Sequence, residues 1–214
     1  MLLRKRLLLY LFFITFLLSS GLPTAAAEKL KEGNLSIIHE LRNGGYILYM
    51  RHGDATIGQD RTIVDFNDCE TQRNLSEEGK KLAKAIGQIF NKLKIPIHYP
   101  VLASPYCRTR ETAGIAFGNQ NVKIVPFLAD ILKVGRADIA SKEKQNIVDK
   151  FTKMMEIAPP AGSNQIIIGH GFPSGTVLGE IPSMGTVLIK PKGQGNGYEI
   201  VRRINLDEFM RMTD

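Results

Sequence analysis

The apolar run YILYM at residues 46–50 stops abruptly at Arg51, His52 and Gly53. A run without polar alternation is typical of a strand that is buried on both faces of a parallel sheet. Such a strand requires helices on both sides, so the run indicates an α/β domain. Ligands bind at the carboxyl ends of the strands in open α/β sheets. We therefore expect Arg51 and His52 to lie at a binding edge of the sheet.

Further strand and helix patterns alternate along the chain. We predict buried strands at 101–103, 122–125 and 165–169, a final hairpin from 187–189 and 198–201, and a long loop at 54–74. Helices are predicted at 35–43, from Ser76 as N-cap through residue 90, from Ser104 and Pro105 to about 117, and at 139–157. This order predicts a three-layer α/β/α fold with a mostly parallel central sheet.

The first 27 residues have the pattern of a secretory signal peptide. Three basic residues precede the apolar stretch 7–18, and an A-x-A site ends at Ala27, so we expect a mature domain at 28–214 in the periplasm or secreted. The alternative is an uncleaved anchor that retains an envelope interaction protein. Without the three bases of this segment the net charge falls from +7 to +4. That mild charge predicts no nucleic-acid partner, and after cleavage we expect no stable membrane insertion.

Cys69 and Cys107 are the two cysteines of the chain. An exported compartment permits a disulfide between them, which by loop closure contributes roughly 3–4 kcal/mol. A pair of buried free thiols is the alternative, and the sequence leaves both open.

Three predicted strands end in cationic or imidazole groups. Arg51 and His52 follow the first, Arg108 lies shortly after the second, and His170 stands between glycines after the third. Arg108 falls in the first turn of a helix, beside free N–H groups that attract phosphate, whereas Arg110 faces elsewhere. A neutral imidazole can attack phosphorus while guanidiniums hold the phosphate oxygens. No cluster with metal-ligand spacing is visible, so we expect neither metal nor cofactor.

The stretches YILYMRHGDA (46–55), RNLSEEGKKLA (73–83), LASPYCRTRETA (102–113) and IIIGHG (166–171) together resemble branch 1 of the histidine phosphatase superfamily, which has the phosphoglycerate mutase fold. The resemblance implies that His52 becomes a phosphohistidine. It also implies that Arg51, Arg108 and His170 form the phosphate pocket, so that His170 assists catalysis as well as binding.

The resemblance implies a carboxylic proton donor shortly after the predicted strand 122–125, the third strand along the chain. Asp130 occupies that place with a shorter side chain than the usual glutamate. Glu180 is the second candidate and Asp54 the third. An aspartic acid donor predicts a mildly acidic activity optimum, because the pKa of a free Asp is about 3.9.

These features favour a metal-independent phosphomonoester hydrolase for a small anionic phosphorylated substrate. Residues 68–75 resemble exported bacterial members of the family, which suggests a phosphorylated sugar or an envelope glycan as substrate. A non-catalytic phosphate-binding module and a phosphomutase are the alternatives. The loop 54–74 and the segment 131–145 should surround the pocket, where Arg61, Arg73, Lys133 and Arg136 could bind further anionic groups.

Overall fold

The computed structural model describes residues 25–213, which fall into two units, residues 25–36 and residues 37–213. Residues 25–36 are helical and belong to the first unit, within helix α1 (Ala25–Asn43). The predicted signal peptide therefore lies outside the described residues except for its last three. Among residues 25–213, no helix is both long enough and apolar enough to span a bilayer.

Six strands of the described chain form one sheet in the order β3-β2-β4-β1-β5-β6. The first four strands in this order pair in parallel, and β5 and β6 are antiparallel. The mostly parallel sheet is thereby confirmed. The strands are β1 (Ile47–Arg51), β2 (Ile97–Ala103), β3 (Val122–Ile124), β4 (Asn164–Gly169), β5 (Thr186–Pro191) and β6 (Tyr198–Ile204).

Helices of the second unit cover both faces of this sheet, which confirms the three-layer architecture. They are α2 (Glu77–Leu93), α3 (Cys107–Phe117), α4 (Ser141–Met155), α5 (Leu206–Arg211) and a 3-10 helix at Pro126–Gly135. One apolar cluster joins alternate strand residues such as Leu48 to α2, α3 and α5. The other apolar cluster joins Tyr49, and the strand residues on the same face of the sheet, to α4 and the 3-10 helix.

Helix α5 and the 3-10 helix Pro126–Gly135 were not predicted from the sequence. The 3-10 helix Pro126–Gly135 has too tight a repeat to show α-helical periodicity in its sequence. Helix α5 has only six residues, which are too few for a periodic pattern. Its start is nevertheless marked by a complete capping box, with Asn205 at the N-cap and Glu208 at the third helical position.

The start of α3 differs from the prediction, whereas the start of α2 matches it. Ser76 caps α2 by accepting a hydrogen bond from the Gly79 N–H at 3.0 Å. Helix α3 begins only at Cys107, and Tyr106 occupies the N-cap position without a side-chain capping bond. Ser104 lies two residues before this N-cap position, and its hydroxyl bonds to His170 at 2.9 Å. Arg108 still falls in the first turn.

The backbone after β1 lies directly against α2. A Cβ atom on Gly53 would stand 2.7 Å from the Gly79 carbonyl oxygen, and a Cβ on Gly79 would overlap the Asp54 carbonyl oxygen. The Gly53 N–H also donates to the Thr112 hydroxyl of α3 at 3.0 Å. Glycine at these two positions therefore allows the contact that fixes the chain immediately after His52.

Candidate active site

The three strand ends named above meet at one cavity of about 310 Å³. Its polar lining consists of Arg51, His52, Arg73, Arg108, His170 and Glu180. The parallel register explains this meeting, because Arg51 at the end of β1 pairs with Gly169 at the end of β4. The carboxyl ends of parallel strands lie at one edge, so the residues that follow them come together.

His52 is held as a neutral imidazole with a defined tautomer. Its side chain is 3% exposed, and Nδ1 lies 2.7 Å from the Gly53 carbonyl oxygen. A carbonyl oxygen only accepts, so Nδ1 carries the proton and Nε2 keeps its lone pair. Burial chiefly, and then the charges of Arg108 and Arg51, lower the pKa of His52 to about 3, although the Gly53 bond opposes this. The ring is thus an uncharged nucleophile.

His170 lies beside His52, with 5.5 Å between the ring centroids. Its Nε2 lies 2.9 Å from the Ser104 hydroxyl, and its buried Nδ1 has no hydrogen-bond partner within the described chain. If the hydroxyl donates to Nε2, the proton of the ring is on Nδ1 and available to an anion. Burial, followed by the proximity of His52 and Arg108, places the pKa of His170 well below its usual value. A bound phosphate would oppose that shift by favouring the imidazolium.

Arg108 is 1% exposed and is oriented by a bidentate ion pair. Nη1 and Nη2 donate to the two carboxylate oxygens of Asp60 at 2.8 and 3.1 Å, and Nη1 also donates to the Arg73 carbonyl oxygen at 3.1 Å. The N–H groups left over are on Nε and Nη2, along one edge of the guanidinium. Nε has no partner among the described residues. That edge can donate two parallel hydrogen bonds to a phosphate.

Arg51 and Arg73 complete a cationic cavity. Arg51 donates through Nη1 to the Ile181 carbonyl oxygen at 2.7 Å, and Arg73 donates through Nη1 to the Ala55 carbonyl oxygen at 2.6 Å. Burial, with the like charges of Arg73 and Arg108, lowers the pKa of Arg51. Three guanidiniums in one cavity repel one another, and an anion bound between them would relieve that repulsion.

The loop 54–74 is tied to the first turn of α3. Cys69 and Cys107 form a disulfide, the first of the two alternatives that the sequence left open. Beside it, the Cys107 N–H donates to Oε1 of the buried Gln72 at 2.8 Å. Arg110, which the sequence predicts to face away from the phosphate, lies with its Nη2 2.9 Å from Sγ of Cys107. These contacts hold the loop that carries Asp60 and Arg73 next to Arg108.

The carboxylates are not arranged as the sequence suggested. Asp130 does not line the cavity that holds His52; it lines an adjacent cavity and bonds to Lys133 at 3.0 Å. Because the segment Pro126–Gly135 forms a 3-10 helix, Asp130 and Lys133 lie one turn apart and pair on the same side. Asp54 accepts a hydrogen bond from Ser76 at 2.7 Å and is also absent from the lining. Glu180 is the carboxylate that lines the cavity.

The roles of two residues of the site do not follow from the sequence pattern. Asp60 stands in an irregular loop, and no periodicity links it to Arg108. For Ser104 the sequence predicts a helix cap, whereas the structure makes it the partner of His170. A serine followed by proline fits both descriptions, so only the position of β4 beside β2 distinguishes them.

Residues 25–213 contain no group of three or more His, Cys, Asp or Glu side chains arranged to hold a metal ion.

An α/β/α fold whose sheet edge carries two histidines among three arginines offers a cationic cavity with the charge and the hydrogen-bond donors to hold a phosphate group. Residues 47–156, more than half of the chain, match the histidine phosphatase superfamily (branch 1), and the protein belongs to this superfamily. The matched segment contains His52 and Arg108, whereas His170 and Glu180 follow it.

Solved structures to which this chain is similar include the protein histidine phosphatase SixA complexed with tungstate, at 16% identity and a TM-score of 0.48 over 76% of this chain and 97% of that one. A phosphoserine phosphatase mutant from Entamoeba histolytica has 11% identity and a TM-score of 0.47 over 76% and 98%. The ecdysone phosphate phosphatase from Bombix mori has 16% identity and a TM-score of 0.43 over 74% and 92%. None of the curated protein sequences compared with this chain matches it significantly.

Proposed function

We propose that this protein is a phosphomonoester hydrolase that acts through a phosphohistidine on His52. The observation that carries the proposal is the hydrogen bond from Nδ1 to the Gly53 carbonyl oxygen, inside a cavity lined by Arg51, Arg73 and Arg108. It leaves Nε2 unprotonated beside groups that bind phosphate.

In the first step the guanidiniums and His170 bind the phosphate dianion and stabilise the charge on its equatorial oxygens. Nε2 of His52 attacks phosphorus, a P–N bond forms, and the P–O bond to the leaving group breaks. We assign the general acid to Glu180, whose carboxyl proton goes to the departing alkoxide oxygen.

In the second step Glu180, now a carboxylate, takes a proton from a water molecule. The water oxygen attacks phosphorus, the P–N bond breaks, and inorganic phosphate leaves. His52 is again neutral and Glu180 again protonated, so the cycle closes without another reactant.

We also propose that hydrolysis needs no metal ion, because three guanidiniums can supply the positive charge that a metal provides in other phosphoryl transfers. Hydrolysis of 4-nitrophenyl phosphate should therefore proceed in EDTA. Loss of activity in EDTA, restored by a divalent cation, would contradict this part.

The covalent step is tested with a phosphomonoester labelled in its phosphoryl group. The wild-type protein should retain an acid-labile label, and His52→Ala should retain none and lose hydrolysis. His39→Ala is the matched control, since this exposed histidine lies outside the cavity. A His52→Ala protein that still hydrolyses the ester at the wild-type rate would refute the proposal.

Glu180→Gln and Asp130→Asn separate the two candidate acids. General acid catalysis contributes about 10²- to 10⁴-fold, so Glu180→Gln should lower kcat by at least 100-fold for an alkyl ester, with Asp130→Asn near wild type. The reverse result would return the role to Asp130. Release of inorganic phosphate, rather than formation of an isomeric ester, separates hydrolysis from phosphomutase activity.

We further propose that the protein is exported. The disulfide between Cys69 and Cys107 supports this, because structural disulfides persist in oxidising compartments. The exported protein should begin at Glu28 on N-terminal sequencing; an intact N-terminus in the membrane fraction would favour the anchor. A phosphorylated sugar or envelope glycan is the substrate class to test first.

A further inference from the structure

A second cavity, of about 530 Å³, adjoins the phosphate cavity. Leu132 lines both. Tyr106 lines the second cavity, and its ring stands 4.3 Å from the Arg108 guanidinium carbon and 5.0 Å from the His170 ring centroid. A phosphate held by Arg108 and His170 thus lies across Tyr106 from a space large enough for a cyclic leaving group.

Aromatic side chains form part of the wall of this second cavity. Phe66 meets Tyr106 edge to face with 5.2 Å between centroids, and Phe127 is a further lining residue. Phe66 and Tyr106 are only half-buried, so part of their ring surface is available to an occupant. Aromatic rings and the apolar faces of sugar rings pack on such surfaces, whereas a short acyclic alcohol would leave these aromatic surfaces exposed to water.

The charged residues of the second cavity are mostly cationic. Its lining includes Lys133, Arg136 and Lys150 but only one carboxylate, Asp130. Asp130 is paired with Lys133 at 3.0 Å, and Arg136 is paired with Asp138, which lies outside the lining. Lys150 stands 4.3 Å above the Phe127 ring, and no carboxylate oxygen of the described residues lies within 4.0 Å of its Nζ. Lys150 is therefore the cation best able to bind a new anion.

We propose that this second cavity is a leaving-group subsite that selects phosphomonoesters whose leaving group has a ring and a second anionic group, with Lys150 binding the anion. The inference rests on the proposed function, because only hydrolysis makes the occupant of this cavity a leaving group. The second group can be a carboxylate or another phosphate, and the ring can be aryl or sugar.

Binding is tested without turnover, using phenylphosphonate and 4-carboxyphenylphosphonate in isothermal titration calorimetry. The wild-type protein should bind the carboxylated compound about five-fold more tightly, the range of a partly exposed ion pair. Lys150→Gln should remove most of that preference and leave phenylphosphonate affinity unchanged. Lys153→Gln is the matched control, because this exposed lysine lies on the same helix but outside the cavity.

The ring contact has its own variant. Phe66→Ala should weaken both phosphonates by a similar factor and leave inorganic phosphate affinity unchanged. Equal binding of the two phosphonates by the wild type, or a preference that persists in Lys150→Gln, would overturn the proposal.

Kinetics with two substrate pairs identify the ring. The ratio of kcat/KM for 4-carboxyphenyl phosphate over phenyl phosphate is compared with that for glucose 1,6-bisphosphate over glucose 1-phosphate. A ratio that depends on Lys150 in either pair supports the subsite, and the larger ratio identifies the ring. Charge-selective binding without hydrolysis would refute the proposed function alone, whereas hydrolysis without charge selectivity in either pair would refute the subsite alone.

Discussion

Replacement of Cys69 and Cys107 by alanine removes the covalent closure between the loop 54–74 and α3. The two cysteines are 38 residues apart. In the loop-entropy relation, closing such a loop costs the unfolded chain about 13 cal/mol/K, which is about 4 kcal/mol at 25 °C. We therefore expect the double variant to lose about 3–4 kcal/mol of unfolding free energy. That is a large part of the stability of an ordinary domain.

The assay is urea denaturation, followed by circular dichroism, of the double variant and the wild type with and without a reducing agent. Reduced wild type should unfold at nearly the same urea concentration as the variant, because both lack the cross-link. A variant that loses less than about 1 kcal/mol would refute the entropic argument.

The same variant has a consequence for the site. Asp60, which orients Arg108, lies in the loop that the disulfide restrains. Without the disulfide, the hydrogen bond from the backbone N–H of residue 107 to the Gln72 side chain still connects this loop to α3. With the tether removed, we expect weaker inorganic phosphate binding even where the variant is fully folded. Unchanged phosphate affinity in folded variant protein would show that hydrogen bonds alone position Arg108.

Further predictions concern Ser104, His52 and the contact of Gly79 with the Asp54 carbonyl oxygen. Ser104→Ala should lower the unfolding free energy by about 1–3 kcal/mol in urea titrations, because it leaves His170 Nε2 buried without its partner; a change below about 0.5 kcal/mol would contradict that contact. The pKa of His52 is about 3 in the folded protein, against about 6.5 in an unfolded chain, so the unfolded state binds the additional proton as pH falls between these values. Thermal unfolding should accordingly occur at lower temperature at pH 4.5 than at pH 7, and His52→Asn should reduce that difference. Gly79→Ala should destabilise the protein, measurable as a lower Tm, since the new Cβ meets the Asp54 carbonyl oxygen.

The positions of Arg51, His52 and His170 at one sheet edge follow from features that are local in the sequence. Each residue comes directly after, or at the end of, a short apolar strand, and parallel strands place their carboxyl ends together. The same locality explains the correct prediction of Ser76 as a cap. Where a residue's role depends on its neighbour along the chain, the sequence pattern is sufficient.

The errors concern residues whose partners are distant along the chain. Ser104 bonds to His170, 66 residues away, and Asp60 orients Arg108 from 48 residues away. Asp130 is the exception, because its partner Lys133 is only three residues away; the sequence did not show that this carboxylate lies outside the lining of the cavity that holds His52.

The amino-acid sequence by itself determined the α/β layering and the meeting of Arg51, His52, Arg108 and His170, because hydrophobic runs and their ends are encoded locally. The tertiary structure decided which carboxylate lines the cavity with His52 and what orients each cation. Those choices depend on the path of the loops between elements, and a loop's path is set by contacts such as the Cys69–Cys107 disulfide rather than by periodicity.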